Sequence, residues 1–294
     1  MSLVTAATIS VKEAGPLVAS LVAESAAPGC RRLSREIMLI AGLDRLDIEN
    51  IPDKENVYTP ESVHFAFPFR IPDGVARMDL PWSVARPDAD QLPGSCKNYF
   101  TVQRWVDISN QERGVTWSVN EAPMLEFGAV TVDWKAVGWL TETKQPVTTL
   151  YSYVMNNYWE TNYKASQEGP TPFRYSLQLH GAYDAARAQR FGIERSQPLI
   201  AVPVGEKRAA PEPRVRVEGD GIVVTAFKPS DDGKALILRL FNATETPRTA
   251  KVVWNKPDPK RVELSTISEA PGSECKGPVA LAPWQFVTLR AVLK

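Results

Sequence analysis

Most of the chain alternates between apolar and polar residues, which is the period of a half-buried β-strand. In "SVHFAFPF" the side chains of Phe65, Phe67 and Phe69 fall on one face. The runs "YFTVQRWVDIS" and "GVTWSV" continue the pattern, and the five residues "NQERG" between them predict a hairpin. Trp105 and Trp117 lie inside these two strands and are predicted to be core residues.

The N-terminal part of the chain follows the same period. Residues 4–11 and 17–23 are β-rich runs separated by the breaker cluster "KEAGP". Residues 35–40 and 45–50 predict two further strands joined by a turn that contains Gly42. Only "YDAARAQRFG", residues 183–192, predicts a helix, with Gly192 at its C-terminal cap.

The stretch "YSYVMNNYWETNY", residues 151–163, combines five aromatic residues with three asparagines. Tyr151, Tyr153 and Met155 alternate onto one face, which predicts a strand whose aromatic side packs in the core. From Asn156 onward the alternation fails, so we expect a loop there. Buried amides need hydrogen-bond partners, and this loop is therefore a candidate interface or pocket rim.

A domain boundary is predicted where apolar periodicity stops, at the connector "VPVGEKRAAPEPR", residues 202–214. Residues 1–201 then form a large antiparallel β-sandwich and residues 215–294 a small one. In the small domain Asp220-Gly221 predicts a hairpin between its first two strands. The fold class predicted is all-β, a large supersandwich-like β-sandwich followed by a small C-terminal β-sandwich.

Composition excludes several classes of function. Thirty-four basic residues balance 34 acidic ones without a long basic run, so nucleic acid is not an expected partner. No apolar run reaches the roughly 20 residues that span a bilayer, and no signal-like segment opens the chain, so a membrane partner is not expected. Three widely spaced cysteines favour a reducing compartment, and we expect a soluble, cytoplasmic protein.

The sequence lacks the common motifs of metal, nucleophile and nucleotide sites. His64 and His180 are the only histidines, and they form no HxH or HExxH motif, so no metal ion or other cofactor is expected to bind within this chain. His180 and Asp184 lie four residues apart, but a hydrogen bond at a helix start explains that spacing better than a ligand pair. A GxSxG elbow, a P-loop and GxGxxG are absent. We therefore expect no catalytic residue.

Three long motifs carry a resemblance to a known family. "TPESVHFAFPFRIPDG", "ARPDADQLPGSCKNYFTVQRWVDISNQERGVTWSVNEAPMLEFG" and "SYVMNNYWETNY" resemble the C-terminal β region of glycoside hydrolase family 38, the α-mannosidases. "SQPLIAVPV" and "GIVVTAFKPSDDGKALILRLFN" resemble the final small β domain of bacterial members. The resemblance covers nearly the whole chain.

The resemblance implies that the catalytic machinery lies elsewhere. Family members are similar in having an α/β barrel that carries zinc ligands and the aspartate nucleophile of a retaining mechanism, and none of those motifs occurs in this chain. We therefore expect a truncated gene product or an excised domain that needs the missing catalytic domain as its partner. A mannose-containing glycan is the expected ligand of the parent enzyme, and zinc is expected in the missing domain.

Two loops are candidates for substrate contact at the sugar pocket's rim. In the first, "ARPDADQLPGS", carboxylate, amide and guanidinium groups suit paired sugar hydroxyls; the alternative is a surface loop whose aspartates cap turns. In the second, "NNYWETNY", amides and rings occur together. The candidate substrate-binding residues are Arg86, Asp88, Asp90, Gln91, Asn157, Trp159, Asn162 and Tyr163.

Three functions remain open from the sequence. The chain is the non-catalytic β region of an α-mannosidase, which buttresses the catalytic domain, or a stand-alone carbohydrate-binding module, or a structural module without affinity for sugar. Trp134 and Trp139, in "VDWKAVGWL", are candidates for a carbohydrate platform or an interface, and packing is the preferred interpretation. If the barrel is missing, surface near the two rim loops is expected to be open and to promote self-association.

Overall fold

A computed structural model describes residues 4, 6–131, 138–143, 146–158, 164–203, 205 and 212–293. Within these residues the chain is nearly all β, as the sequence predicts. It divides into two compact units, one of residues 1–80 and 84–183 and one of residues 81–83 and 184–294.

The first unit contains one large antiparallel sheet. Its strands are β1 (Thr8–Ala14), β2 (Val18–Ala27), β3 (Cys30–Ile40), β4 (Leu46–Lys54), β6 (Val75–Leu80), β7 (Ser83–Ala85), β9 (Trp105–Ser109), β10 (Gly114–Val119), β13 (Gly169–Pro170) and β14 (Phe173–His180). Their order in the sheet is β1-β2-β3-β4-β14-β10-β9-β6-β7, and β13 pairs with β4 outside this path.

A second sheet covers part of the first. It comprises β5 (Ser62–Pro68), β12 (Thr149–Asn156), β11 (Met124–Phe127) and β8 (Phe100–Thr101), in that order. Phe67 and Leu150 from this sheet pack with Trp117 and Tyr175 from the large sheet in one buried cluster. Trp105 and Trp117 are fully buried, which confirms their predicted core position.

The predicted strand at residues 151–155 is part of β12, but its core face differs from the prediction. Leu150 and Ser152 are fully buried, and the Tyr175 hydroxyl donates to Ser152 Oγ over 3.0 Å. Tyr153 instead stacks on the His64 ring at 4.6 Å. A bulge between Tyr153 and Met155 shifts the register, so alternation alone does not assign the faces. Strand β12 ends at Asn156, where the sequence predicts a loop to begin.

The second unit opens with α1 (Ala185–Ser196), which follows the capping residue Asp184. Asp184 accepts a hydrogen bond from the Arg187 backbone N–H over 3.1 Å, as a helix-start interpretation of that residue requires. The predicted cap at Gly192 is wrong. Gly192 is buried inside the helix, which continues to Ser196 and is capped by Gln197.

Two small antiparallel sheets follow. The first contains β15 (Val215–Glu218), β18 (Arg248–Trp254) and β20 (Val279–Leu281), and the second contains β16 (Ile222–Pro229), β17 (Ala235–Asn242), β21 (Phe286–Val292) and β19 (Arg261–Ser265), each in sheet order. Ile222, Leu240, Ala250 and Leu281 pack between them. This is the predicted small sandwich.

The hairpin predicted at Asp220-Gly221 is wrong. Strand β15 pairs with β18, whereas β16 pairs with β17 in the other sheet. Gly219 and Gly221 both have positive φ, so the glycines turn the chain between sheets rather than back along one sheet. The helix belongs to this second unit, whereas the sequence pattern predicts that residues 1–201 form one domain. Most of the predicted connector, residues 202–214, lies outside the described residues.

Candidate functional site

The first predicted rim loop is held closed by its own side chains. Arg86 and Asp90 form a bidentate pair, with Nε donating to Oδ2 over 3.0 Å and Nη2 donating to Oδ1 over 2.9 Å. The Arg86 backbone N–H also donates to Asp90 Oδ2. Hydrogen bonding to Arg86 lowers the pKa of Asp90 below its ordinary value. The structure thus brings these two candidates together as a turn-forming pair.

Asp88 and Gln91 complete the same loop. Asp88 has a positive φ of 68°, and its N–H donates to Gln91 Oε1 over 3.2 Å. The Asp88 carboxylate accepts from the backbone N–H and the hydroxyl of Thr143. These contacts fit the alternative interpretation of an ordinary loop whose aspartates cap turns. They also join residues 86–91 to residues 138–143.

An exposed tryptophan lies on the joined segment. Trp139 is 69 % exposed, and its Nε1–H donates to the Gly94 carbonyl over 3.1 Å. The expectation that Trp139 serves in packing is therefore wrong, because most of its surface meets solvent. One indole edge is held by the hydrogen bond while the ring is available to a ligand. The sequence alone does not show the hydrogen bond between Trp139 and Gly94, because the two residues are 45 positions apart.

The second predicted rim loop is described only at its start. Asn157 binds the segment that precedes β5: its Oδ1 accepts from the Glu61 N–H over 2.6 Å, and its Nδ2 donates to the Val57 and Thr59 carbonyls. It lines a small surface pocket with Lys54 and Asn156. Trp159, Asn162 and Tyr163 lie outside the described residues, as does Trp134.

Both histidines pair with buried carboxylates, which sequence reasoning missed. His64 Nε2 lies 2.9 Å from Glu126 Oε1, and His180 Nε2 lies 2.7 Å from Asp107 Oδ2. Asp184, four residues from His180, caps the helix, which agrees with the helix-start interpretation of that spacing. Asp107 and His180 are 73 positions apart, so a single sequence does not reveal the contact. The register of β9, β10 and β14 creates it.

The environment of His180 favours the imidazolium. Its Nδ1 lies 3.0 Å from the Gly181 carbonyl, so both ring nitrogens face acceptors. Burial acts to lower the pKa of His180, but the hydrogen bond and charge of Asp107 outweigh it and raise the pKa. Ser109 and Thr116 also donate to Asp107. The Asp107–His180 pair is therefore a satisfied buried ion pair, which suits a structural role.

Asp79 is a different kind of buried acid. It is fully buried, and Arg104 Nη1 lies 3.9 Å from its Oδ2 atom. Burial raises the pKa of Asp79 to about 7, although Arg104 opposes that rise. A carboxyl group whose pKa is about 7 can exchange a proton near neutral pH, but the Asp79 side chain is buried away from solvent. We assign it no reaction.

The C-terminal part of the chain is similar to a known domain family. Residues 221–289 match the sequence model described as the glycosyl hydrolases family 38 C-terminal beta sandwich domain. The resemblance to family 38 is thereby confirmed over that segment. Comparison with curated protein sequences gives no significant match.

Two solved structures share the fold over nearly the whole chain. One is an alpha-mannosidase from Enterococcus faecalis V583, with a TM-score of 0.74 and 16 % identity, matched over 97 % of this chain and 35 % of that one. The other is a glycosyl hydrolase family 38 protein from Enterococcus faecalis, with a TM-score of 0.72 and 15 % identity, matched over 97 % and 36 %. The chain thus spans about a third of the length of these proteins.

Proposed function

We propose that this chain is the non-catalytic β region of a family 38 α-mannosidase that supports the catalytic domain. The observation that carries the proposal is the match of 97 % of the chain to about a third of an α-mannosidase. The parent enzyme would hydrolyse α-mannosides of mannose-containing glycans with retention of configuration. It would act in the cytoplasm, without nucleic acid or membrane as a partner.

The zinc of the parent enzyme belongs to the missing catalytic domain in this proposal. The described residues offer no group of three or more His, Cys, Asp or Glu side chains arranged to hold a metal ion. They therefore do not fit the zinc that the family resemblance implies, and we derive no catalytic step through it.

No helix in the described part of the chain is long and apolar enough to cross a membrane.

We place the sugar-pocket rim at Trp139 and the loop of residues 86–91. A sugar ring can stack its C–H face on the exposed indole, and its hydroxyls can bond to the Arg86 side chain, which stays 53 % exposed within its ion pair. Asp88 fixes this loop to residues 138–143. Asn157 supports the second rim loop, to which we assign Trp159, Asn162 and Tyr163.

The proposal is tested by activity on an aryl α-mannoside. The purified chain alone should show no turnover. The polypeptide that the source genome encodes ahead of Met1, produced with zinc, should gain activity when co-expressed with this chain. Turnover by the chain alone, in material free of host mannosidase, would overturn the proposal, as would an upstream polypeptide unrelated to α-mannosidases.

The rim assignment needs a separate readout. In the reconstituted enzyme Trp139→Ala should raise KM several-fold with little change in kcat, because a rim residue binds the substrate without touching the reacting atoms. Phe227→Ala, which removes an exposed ring of the second unit, is the matched control. Equal KM values for the two variants would remove Trp139 from the rim.

A further inference from the structure

One face of the large sheet continues past the sheet that covers it. Cross-strand register places Val11, Leu21, Ile37, Ile48 and Tyr175 in one row on the same face. At the β14 end of this row Tyr175 belongs to the buried core, and Ile48 packs against it. At the β1 end the apolar residues have no covering sheet within the described chain.

Five large apolar side chains form this exposed patch, which we call the β1–β3 face. Each is between 44 % and 67 % exposed, and register puts all of them on the core side of the sheet. They are Ile9, Val11, Leu21, Ile37 and Leu39. Small residues, Ala14, Ala19 and Ala23, fill the positions between them, and Arg35 is the one charged residue at these paired positions.

The opposite face of the same strands mixes polar and apolar residues, with Val22 and Met38 among them. Lys12 pairs with Glu36 over 2.6 Å, and Ser34 and Glu49 lie beside them. A sheet face lined by large apolar side chains is suited to be buried against another layer. Scattered exposed apolar residues need no explanation, but a contiguous patch that extends a core marks an interaction surface.

The size of the patch favours a particular occupant. Three strands about 4.8 Å apart and six residues of about 3.3 Å rise give an area of roughly 300 Å². A stable complex of separate proteins buries about 800 Å² on each partner, which is more than twice this patch. Interfaces between domains of one chain begin at about 600 Å² in total, or about 300 Å² on each side. A tether supplies the effective concentration that a small interface lacks.

We propose that the β1–β3 face is the docking surface for the additional polypeptide of an α-mannosidase-length chain. The matched structures carry about two thirds of their length outside the region that corresponds to this chain. The inference rests on the proposed function and deepens it, because it assigns the contact with the catalytic part to five named side chains. A second copy of this chain is the competing occupant.

The Enterococcus faecalis α-mannosidase crystal structure provides the first test. After superposition on this fold, the positions aligned with residues 9, 11, 21, 37 and 39 should be buried by residues outside the matched third of that chain. Exposure of those positions to solvent would overturn the assignment. Their burial by a second copy, or by residues inside the matched third, would also overturn it.

The second test uses this chain. The double variant Ile37→Lys and Leu39→Lys should remain monomeric and keep its melting temperature within a few degrees, because neither side chain is buried. It should weaken docking of the catalytic polypeptide, tethered to this chain by a flexible linker, by roughly tenfold or more, as expected at the centre of an interface. Ile267→Lys alters an apolar side chain of the second unit that is 60 % exposed, and it is the control.

The outcomes separate this inference from the proposed function. If the reconstituted enzyme is active and the double variant associates as the wild type does, the proposed function stands and the β1–β3 face is not the interface. If the wild-type chain sediments as a dimer that the double variant abolishes, the occupant is a second copy. If the reconstituted complex is inactive, but the wild-type chain binds the catalytic polypeptide and the double variant does not, the docking surface stands and the enzymatic assignment fails.

Discussion

The two halves of the large sheet have the same alternating pattern but different surroundings. In strands β9, β10 and β14 the core-facing residues, such as Val106, Trp117 and Tyr175, are almost fully buried under the second sheet. In strands β1, β2 and β3 the residues on the same face, such as Val11 and Ile37, meet solvent. Alternation therefore reports that a face is apolar, and not whether anything covers it.

The largest contrast is expected for single truncations in the two halves. Trp117→Ala should lower the free energy of unfolding by about 3–5 kcal/mol, because it leaves a cavity under the second sheet. Ile37→Ala should change it by no more than about 0.5 kcal/mol, as for an exposed position. Urea unfolding followed by circular dichroism measures both. Similar losses would show that the β1–β3 face is covered in the isolated chain.

Polar pairs on the outer face sharpen the same comparison. His180 is only 4 % exposed and pairs with fully buried Asp107, so His180→Ala should cost about 3 kcal/mol by leaving a buried charge unpaired. Lys12, paired with Glu36 in the uncovered half, is half exposed, and Lys12→Ala should cost much less than His180→Ala. A double-mutant cycle on each pair measures the coupling. Equal coupling energies would contradict the distinction.

The pH dependence of stability should come from the covered half. Because the folded state raises the pKa of His180, its contribution is full below the unfolded value of about 6.5 and is lost as pH rises through the folded pKa. Asp107→Asn should remove this loss.

The ionisation of Asp79 must be separated from that of His180 in this experiment. Its pKa is raised to about 7 by burial, so its ionisation also lowers stability as pH rises, from about pH 4 upward. The comparison is therefore made in an Asp79→Asn background. A free energy of unfolding that does not fall above pH 6.5 in that background would contradict the imidazolium assignment.

The smallest effect is expected at the rim loop. Arg86→Ala removes a bidentate but exposed pair, so it should cost less than about 1 kcal/mol and release the pKa of Asp90 toward its ordinary value. Chemical-shift titration of the Asp90 carboxyl follows the change. A much larger loss of stability would mean that the loop is part of the core rather than a rim.

The sequence predicts the fold class and most strands because the period of two survives in nearly every one. It also places Trp105 and Trp117 in the core. It misassigns Asp220-Gly221 because a two-residue turn signal is local, whereas the choice between one sheet and two depends on long-range pairing. Gly192 is misassigned for a related reason: burial of one helix face outweighs the local preference of glycine for a cap.

The candidate site is predicted less well than the fold. The loop of residues 86–91 is singled out by its polar residue types, but its internal hydrogen bonds cannot be predicted from those types. Trp139 and the Asp107–His180 pair depend on contacts between distant segments. The uncovered face is equally hidden, because exposure depends on where the second sheet ends.

Hydroxyl-radical footprinting of the isolated chain tests the central claim most directly. The claim is that one continuous apolar face is covered at one end and open at the other, ready for a partner. Leu21, Ile37 and Leu39 should be modified at rates typical of exposed leucines, whereas Leu150 and Trp117 should be protected. Addition of the catalytic polypeptide should protect the first group. Equal protection of both groups in the isolated chain would contradict the account.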